Sequence, residues 1–176
     1  MGAGAVYYTP GLFSGSEARA LAETLSRMNA ALIRNDAGML RTLFTPDPGT
    51  TEDRLLTAGE LRAELEALGF NWQAAEPVAM GFVCATVNAG RGPVKSAVGH
   101  LYLASGDQVH AIELSLVKRE SGYAIDDIWN WFPVETGRAN LRRVAAPYFD
   151  QFDREGDIPG VKVSRVKRLF RVLRSR

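Results

Sequence analysis

The longest regular pattern of apolar and polar positions runs from residue 77 to residue 132. Runs rich in Val, Ile, Leu and aromatic residues alternate there between apolar and polar positions, which is typical of half-buried strands. Turn signals that contain glycine separate these runs at 88–93, 105–107 and 120–122. Because such short links join only antiparallel neighbours, the pattern predicts a meander of four strands. In the last run neither face is wholly polar, so we expect that strand to be central or covered on both faces.

Helical spacing dominates the chain before the meander. A capping box at Ser14 and Glu17 predicts the start of a first helix. Asp36 is expected to cap a second, short helix, which ends before Pro46. The first helix should bury a stripe of apolar residues at steps of four, three and four, namely Leu21, Leu25, Met28 and Leu32.

The elements that flank the meander are less sharply marked. Residues 54–56 suggest a short edge strand, and a second capping box at 57–60 predicts the start of a third helix, with Gly69 after its end. Beyond the meander, residues 137–152 have helical spacing. Residues 161–176 predict a basic amphipathic helix whose apolar stripe is Val166, Leu169, Phe170 and Leu173.

Charge is unevenly spread along the chain. Seven of the 21 basic residues lie in 161–176, which holds no acidic residue, so the first 160 residues carry 14 basic against 20 acidic side chains. An acidic body with a basic terminal segment predicts an anionic partner or docking of the segment on protein. The residues expected to contact such a partner are Arg165, Lys167, Arg168, Arg171 and Arg174.

Composition is that of an ordinary globular protein. The 176 residues are 46% hydrophobic and 23% charged, which suits one domain with a sizeable core. Cys84 is the single cysteine, so a disulfide within the chain and a cysteine zinc site are excluded. With no export signal and no apolar run long enough to span a membrane, a cytoplasmic location is expected. We expect an N-terminal loop over 1–15, an α+β domain over 16–135, and a helical extension with a basic tail over 136–176.

The order of two helices, a short strand, a third helix and a long meander resembles the nuclear transport factor 2-like superfamily. This superfamily includes ketosteroid isomerases, polyketide cyclases and scytalone dehydratases. Two stretches carry the likeness, AGMLRTLFTPD at 37–47 and GYAIDDI at 122–128, and with the element order it covers residues 16–132. The resemblance implies an α+β cone, in which a curved antiparallel sheet wraps the N-terminal helices and leaves a pocket at its open end. It also implies a homodimer through the sheet.

Three side chains are candidates for acid–base chemistry. His110 lies on the apolar face of its strand and titrates near neutral pH, so it could pass a proton in a concave pocket. His100 and His110 are about equally far from the turn at 105–106, so we expect them to be near cross-strand partners. Asp127 shares a face with Tyr123 in a simple alternation, and a buried carboxylate there could act as a base. Each of the three could equally be a structural residue that is hydrogen-bonded within the sheet.

A pocket in such a fold is expected to be apolar, and the candidates to line it are Tyr102, Ile112, Leu114, Trp129 and Phe82. Two histidines are too few for a metal site, so no metal is expected, and no cofactor motif is present.

No complete acid–base constellation can be assembled from the sequence. We therefore expect a non-catalytic module that binds a small hydrophobic ligand or a protein partner. The alternatives are a small lyase or isomerase that acts on a hydrophobic carbonyl compound, and a protein targeted to membrane or nucleic acid by its basic terminal segment.

Overall fold

The computed structural model describes residues 6–7, 15–46, 50–89, 92–137, 141 and 163–172, of which 6–7, 83–89, 92–95 and 163–172 are described by their backbone alone. Within this part of the chain, α-helices pack against an antiparallel sheet, which confirms the predicted α+β class. The arrangement is compatible with a cone.

The helices precede most of the sheet. They are α1 (Gly15–Arg34), α2 (Ala37–Leu43) and α3 (Thr51–Ala67), followed by a short 3₁₀ helix, Trp72–Ala74. The predicted stripe of α1 is buried, and the Asp36 carboxylate accepts a hydrogen bond from the Met39 backbone N–H at 2.9 Å, as expected of a cap. Gly69 follows α3 with a φ of 84°, the left-handed conformation that favours glycine at this position.

The predictions at the start of α3 were wrong. Residues 54–56 are helical rather than an edge strand, and the helix begins at Thr51 rather than near Thr57. The Thr57 hydroxyl donates to the Asp53 carbonyl at 3.0 Å, so it is satisfied inside the helix and caps nothing. Glu52 and Asp53 lie in the first turn, where their negative charges interact favourably with the positive end of the helix dipole.

The strands of the described residues form one sheet. They are β1 (Val6–Tyr7), β2 (Glu76–Ala89), β3 (Gly92–Ser105), β4 (Gln108–Arg119), β5 (Gly122–Pro133) and β6 (Val163–Val172). Their order is β1-β6-β2-β3-β4-β5, and every pairing is antiparallel. The meander from β2 to β5 confirms the prediction. β5 lies at an edge of the sheet, so the first of the two alternatives expected for it, a central strand, was wrong.

Most of the predicted C-terminal helix is a strand. β6 pairs with β2 from Ala79 opposite Val172 to Val87 opposite Val163. The helical spacing depends on neighbouring residues alone. The edge of β2 offers a row of backbone hydrogen-bond donors and acceptors to a pairing strand, and the spacing within 161–176 does not reveal that edge. The helix predicted over 137–152 lies outside the described residues except at Gly137 and Leu141. The anionic-partner role of the basic side chains in 161–176 stays a prediction.

Both faces of the sheet carry apolar clusters. The larger cluster lies between the helices and the inner face of the sheet, and it includes Phe82, Leu101, Ile112 and Leu114. The smaller cluster lies on the outer face, where Val134 and Leu141 join Tyr102 and its neighbours. Segments after β5 therefore cover part of the outer face.

Candidate functional site

The two histidines lie on opposite faces of the sheet. Ser105 pairs with Gln108 across the turn, so His100 lies opposite Glu113, and His110 lies opposite Leu103. The expectation that the histidines are near cross-strand partners was therefore wrong. The hairpin is centred between Gly106 and Asp107, slightly later than expected. As a result, His110 lies opposite a residue three positions after His100. Because the side-chain period of a strand is two, an odd offset places them on different faces.

His100 belongs to a bonded polar cluster on the outer face. Its Nε2 lies 3.0 Å from the Glu113 Oε2, and its Nδ1 lies 3.2 Å from the Tyr102 hydroxyl oxygen. The ring also meets Phe132 edge-on, with centroids 5.3 Å apart. Burial lowers the pKa of His100, and the Glu113 carboxylate partly opposes this shift. Burial also raises the pKa of Tyr102. Both ring nitrogens of His100 thus have partners, as in a structural residue.

His110 is buried on the inner face without such partners. Its side chain is 4% exposed, and no described group lies within hydrogen-bonding distance of either ring nitrogen. Phe70 packs against the ring edge-on, with centroids 5.5 Å apart. Burial lowers the pKa of His110, so the imidazole is neutral near pH 7, with one nitrogen that can donate and one that can accept. A buried polar group that lacks a bond is costly, which makes His110 the strongest candidate for a binding residue.

A cleft of about 640 Å³ lies beside His110 at the end of the sheet. It is formed by the end of α3, the turn between β3 and β4, and the segment that follows β5. Apolar and polar residues share the lining, which consists of Leu68, Asp107, Gln108, Val109, His110, Pro133, Val134, Glu135, Thr136 and Gly137.

Backbone and side-chain hydrogen bonds hold the walls of the cleft together. The Gln108 amide Nε2 donates to the Leu68 carbonyl at 3.2 Å, which ties the end of α3 to the β3–β4 turn. The Val134 N–H donates to the Val109 carbonyl at 2.8 Å, and the Gly137 N–H donates to the Val134 carbonyl at 3.0 Å. The cleft is therefore preformed by bonds between its own walls.

Asp127 lies outside this cleft. The side chain is exposed, and its Oδ1 accepts a hydrogen bond from the Ile128 N–H at 2.8 Å. Two β-bulges in β5 leave Asp126 and Trp129 without direct partners in β4 and break the simple alternation. The residues of β5 that face the helices are spaced by two, three and three, namely Tyr123, Ile125, Ile128 and Trp131. The expectation of a buried Asp127 was therefore wrong.

The residues predicted to line a pocket are not brought together. Phe82, Ile112 and Leu114 are fully buried in the larger cluster, Tyr102 is fully buried in the smaller one, and Trp129 is 50% exposed. A ligand-binding role for these five residues stays a prediction.

The sequence gives little indication of which residues line the cleft. The turn at 105–107 was recognised as a hairpin, but nothing in its pattern places it against the end of α3. Pro133 and Val134 follow the last alternating run, where neither helical nor strand spacing applies.

A second, smaller cleft of about 360 Å³ lies at the opposite end of β4, between α1 and the β4–β5 turn. Its lining includes Arg27, Arg119 and Glu23. In the described part of the chain, no three His, Cys, Asp or Glu side chains are grouped in a way that could hold a metal ion.

No helix among the described residues has the length and apolar character needed to cross a membrane. No protein-family model matches the chain, and comparisons with curated proteins and with solved structures also returned no match.

Proposed function

We propose that this chain is a non-catalytic module of the nuclear transport factor 2-like type, and that it binds a small, largely apolar ligand in the cleft beside His110. The observation that carries the proposal is His110, a buried residue of the cleft lining whose two ring nitrogens have no bond to any described group. The order of the helices and the meander supports membership of this superfamily. The proposal includes the cone shape of the fold.

The size and lining of the cleft support a small-molecule ligand. Binding sites for small molecules usually have volumes of about 300–1,000 Å³, with apolar walls and a few polar groups. The cleft is about 640 Å³, and Leu68, Val109 and Val134 are apolar residues of its lining. The space between the helices and the sheet is filled by large side chains such as Phe82 and Leu114, so the cleft at the end of the sheet is the better site.

The arrangement favours binding over catalysis. A lyase or isomerase that used the predicted residues would need His110, His100 and Asp127 to converge on one substrate. His100 instead lies on the outer face with Glu113, and Asp127 is exposed at a bulged edge strand. The enzyme alternative therefore has a single candidate, His110, and no described partner that would orient its ring.

The partners expected from the sequence stay proposals. A homodimer through the sheet would have to leave out the part of the outer face where Val134 and Leu141 pack with Tyr102. Light scattering tests this dimer. Contact of residues 161–176 with a protein or an anionic surface, and a cytoplasmic location, are likewise expectations.

The proposal is tested by narrowing the mouth of the cleft. Leu68, which directly follows α3, is 61% exposed and lines the cleft, whereas Leu56 within α3 is 67% exposed and does not. Leu68→Trp should weaken the binding of 4-(2-hydroxyethyl)phenol, followed by the chemical shifts of backbone amides, and Leu56→Trp should leave it unchanged. Equal effects of the two variants, or shifts confined to the smaller cleft, would count against the proposed site.

A further inference from the structure

The two sides of the sheet differ in how their backbone groups are used. β5 is the last strand on one side, where the Thr45 N–H donates to the Ile125 carbonyl at 2.8 Å. The Asp127 Oδ1 accepts from the Ile128 N–H at 2.8 Å, and two bulges interrupt the register of β5 with β4. Bulges, charged residues and covering segments are the means by which an edge strand avoids pairing with another chain. β5 is therefore a protected edge.

β6 lies near the opposite side of the sheet and has fewer such contacts. Within the described part of the chain, β1 pairs with β6 at Phe170 and Arg171 alone. Residues 163–169 of β6 pair with β2 on one side, and no described residue pairs with them on the other. We call residues 163–169 the open edge. Its unpaired N–H and C=O groups are a template for another extended chain.

We infer that the open edge binds an extended acidic segment of a partner protein, which adds to the sheet as a strand beside β6. The open edge holds Arg165, Lys167 and Arg168, and residues 161–176 hold no acidic side chain. An acidic strand therefore meets opposite charge along this part of the chain. The inference concerns a different surface from the cleft beside His110 and does not depend on ligand binding there.

The charge of the open edge disfavours a second copy of the chain as the occupant. Two paired copies of β6 would bring basic residues against basic residues, and like charges on neighbouring strands are destabilising. Basic residues on an edge strand also oppose self-association. The same charges favour an acidic strand, so the open edge distinguishes between occupants by charge.

The geometry of a strand favours a peptide over a flat anionic surface. Successive residues of a strand belong to opposite faces, so Lys167 and Arg168 lie on different faces of the sheet. A membrane or a nucleic acid that lay against one face would reach only one of them. A strand added at the edge has residues on both faces, and it also pairs with the backbone of β6.

Three synthetic peptides separate strand addition from charge attraction alone. The first is acetyl-TVEEVET-amide, which has acidic residues on both faces of an extended chain. The second replaces both valines with proline, which keeps the charge but removes one N–H from each edge of the peptide. The third replaces the three glutamates with lysine. Each is titrated into the full chain at neutral pH and low ionic strength, and the backbone amides of residues 163–169 are followed by NMR.

The first peptide should shift the amides of the open edge in a saturable manner and slow their hydrogen exchange. The proline peptide should bind about tenfold more weakly, because it cannot form all the backbone bonds. The lysine peptide should not bind. Equal binding of the first two peptides would mean attraction without strand addition and would overturn the inference.

Charge-reversal variants assign the preference to the open edge. A chain with Lys167→Glu and Arg168→Glu should bind the lysine peptide in place of the glutamate peptide. The matched control is Arg27→Glu with Arg119→Glu, which changes the net charge equally at exposed residues outside β6 and should keep the original preference. If the first variant does not fold, the three peptides on the natural chain still test the inference.

Hydrogen exchange of the free chain tests for other occupants. In a strand that is paired on one side, every second amide exchanges quickly. Slow exchange at all amides of 163–169 would show that the chain itself or a second copy already occupies the open edge, which would overturn the inference. Binding of phosphatidylglycerol vesicles or of polyuridylate at these amides, with none of the glutamate peptide, would overturn it as well. None of these results bears on the cleft, whose ligand binding is measured separately with 4-(2-hydroxyethyl)phenol.

Discussion

The two histidines of this chain lie ten residues apart in sequence and are both buried, but they differ in the partners of their ring nitrogens. His100 is 7% exposed and His110 is 4% exposed. On the outer face, His100 is bonded to Glu113 and Tyr102. On the inner face, the His110 ring packs edge-on against Phe70, and its nitrogens bond to no described group. Burial alone therefore does not distinguish a structural histidine from a binding one, whereas the bonds of the ring nitrogens do.

The largest expected effect on stability comes from disturbing the pairing of β2 with β3, in the sheet that carries both histidines. A Cβ added to Gly99 would lie 2.0 Å from the Gly81 carbonyl oxygen and 2.7 Å from the Phe82 Cα, both backbone atoms of β2. Gly99→Ala must push β2 and β3 apart, so we expect it to destabilise the protein by about 3 kcal/mol. Urea unfolding measures this change in free energy.

Gly59→Ala is the matched control for this substitution. Gly59 lies inside α3, and nothing lies within 4 Å of a Cβ added there. We expect a stabilisation of about 0.5–1 kcal/mol, because alanine is the better helix former. A Gly99→Ala protein as stable as the natural chain would show that the two strands do not approach each other this closely.

The same substitution at both histidines sharpens the comparison. His100→Leu removes the ring nitrogens that contact Glu113 and Tyr102, so we expect a loss of about 2 kcal/mol in the free energy of unfolding. His110→Leu removes two buried nitrogens that bond to no described group, so its stability should stay within about 1 kcal/mol of the natural chain. Urea unfolding of both variants tests this order, and a larger loss at His110 would contradict it.

The dependence of stability on pH follows from the pKa shift of His110. Burial lowers its pKa in the folded state below the ordinary value of 6.5, so the unfolded chain binds more protons as the pH falls. The contribution of neutral His110 to stability is complete above 6.5 and is lost as the pH falls through the folded pKa. Asp107 and Glu135 line the same cleft, and burial is the cause of the lowered pKa of His110.

The measurement is the free energy of unfolding between pH 5 and pH 7.5 for the natural chain and for His110→Leu. The natural chain should lose more stability on acidification than the variant. Because the pKa of His100 is lowered as well, the variant should keep a smaller slope of the same sign. Parallel curves would mean that His110 is not desolvated in the folded state.

The smallest expected effect is at Asp127. Its carboxylate is exposed and accepts a bond from the adjacent Ile128 N–H, and an amide oxygen can accept the same bond. Asp127→Asn should therefore change stability by less than about 0.5 kcal/mol. It should leave the binding of 4-(2-hydroxyethyl)phenol unchanged. A loss of binding would contradict the placement of Asp127 outside the binding site.

Local signals in the sequence were sufficient for much of the fold. The apolar stripe of α1, the Asp36 cap and the four strands of the meander follow from spacing and turn chemistry that neighbouring residues determine. The failures share a physical cause, which is that the deciding contact is distant in sequence. The pairing of β6 with β2 overrides a helical stripe, and the bulges in β5 depend on how that strand meets β4.

The candidate site shows the same division. His110 was identified from its place on an apolar strand face, and the structure places it at a cleft. Its separation from His100 depends on the register of one hairpin, and a register error of an odd number of residues exchanges the faces of a strand. Leu68 and Glu135 were missed because the sequence does not show that the end of α3 meets the exit of β5.

The most direct test of the account uses the fact that the chain has two histidines and no more. The four imidazole nitrogens can be followed by ¹⁵N NMR at neutral pH while 4-(2-hydroxyethyl)phenol is added to the full chain. The account predicts that the ring nitrogens of His110 shift in a saturable manner and that those of His100 stay in place. Shifts at His100, or none at His110 while the probe binds elsewhere, would contradict it.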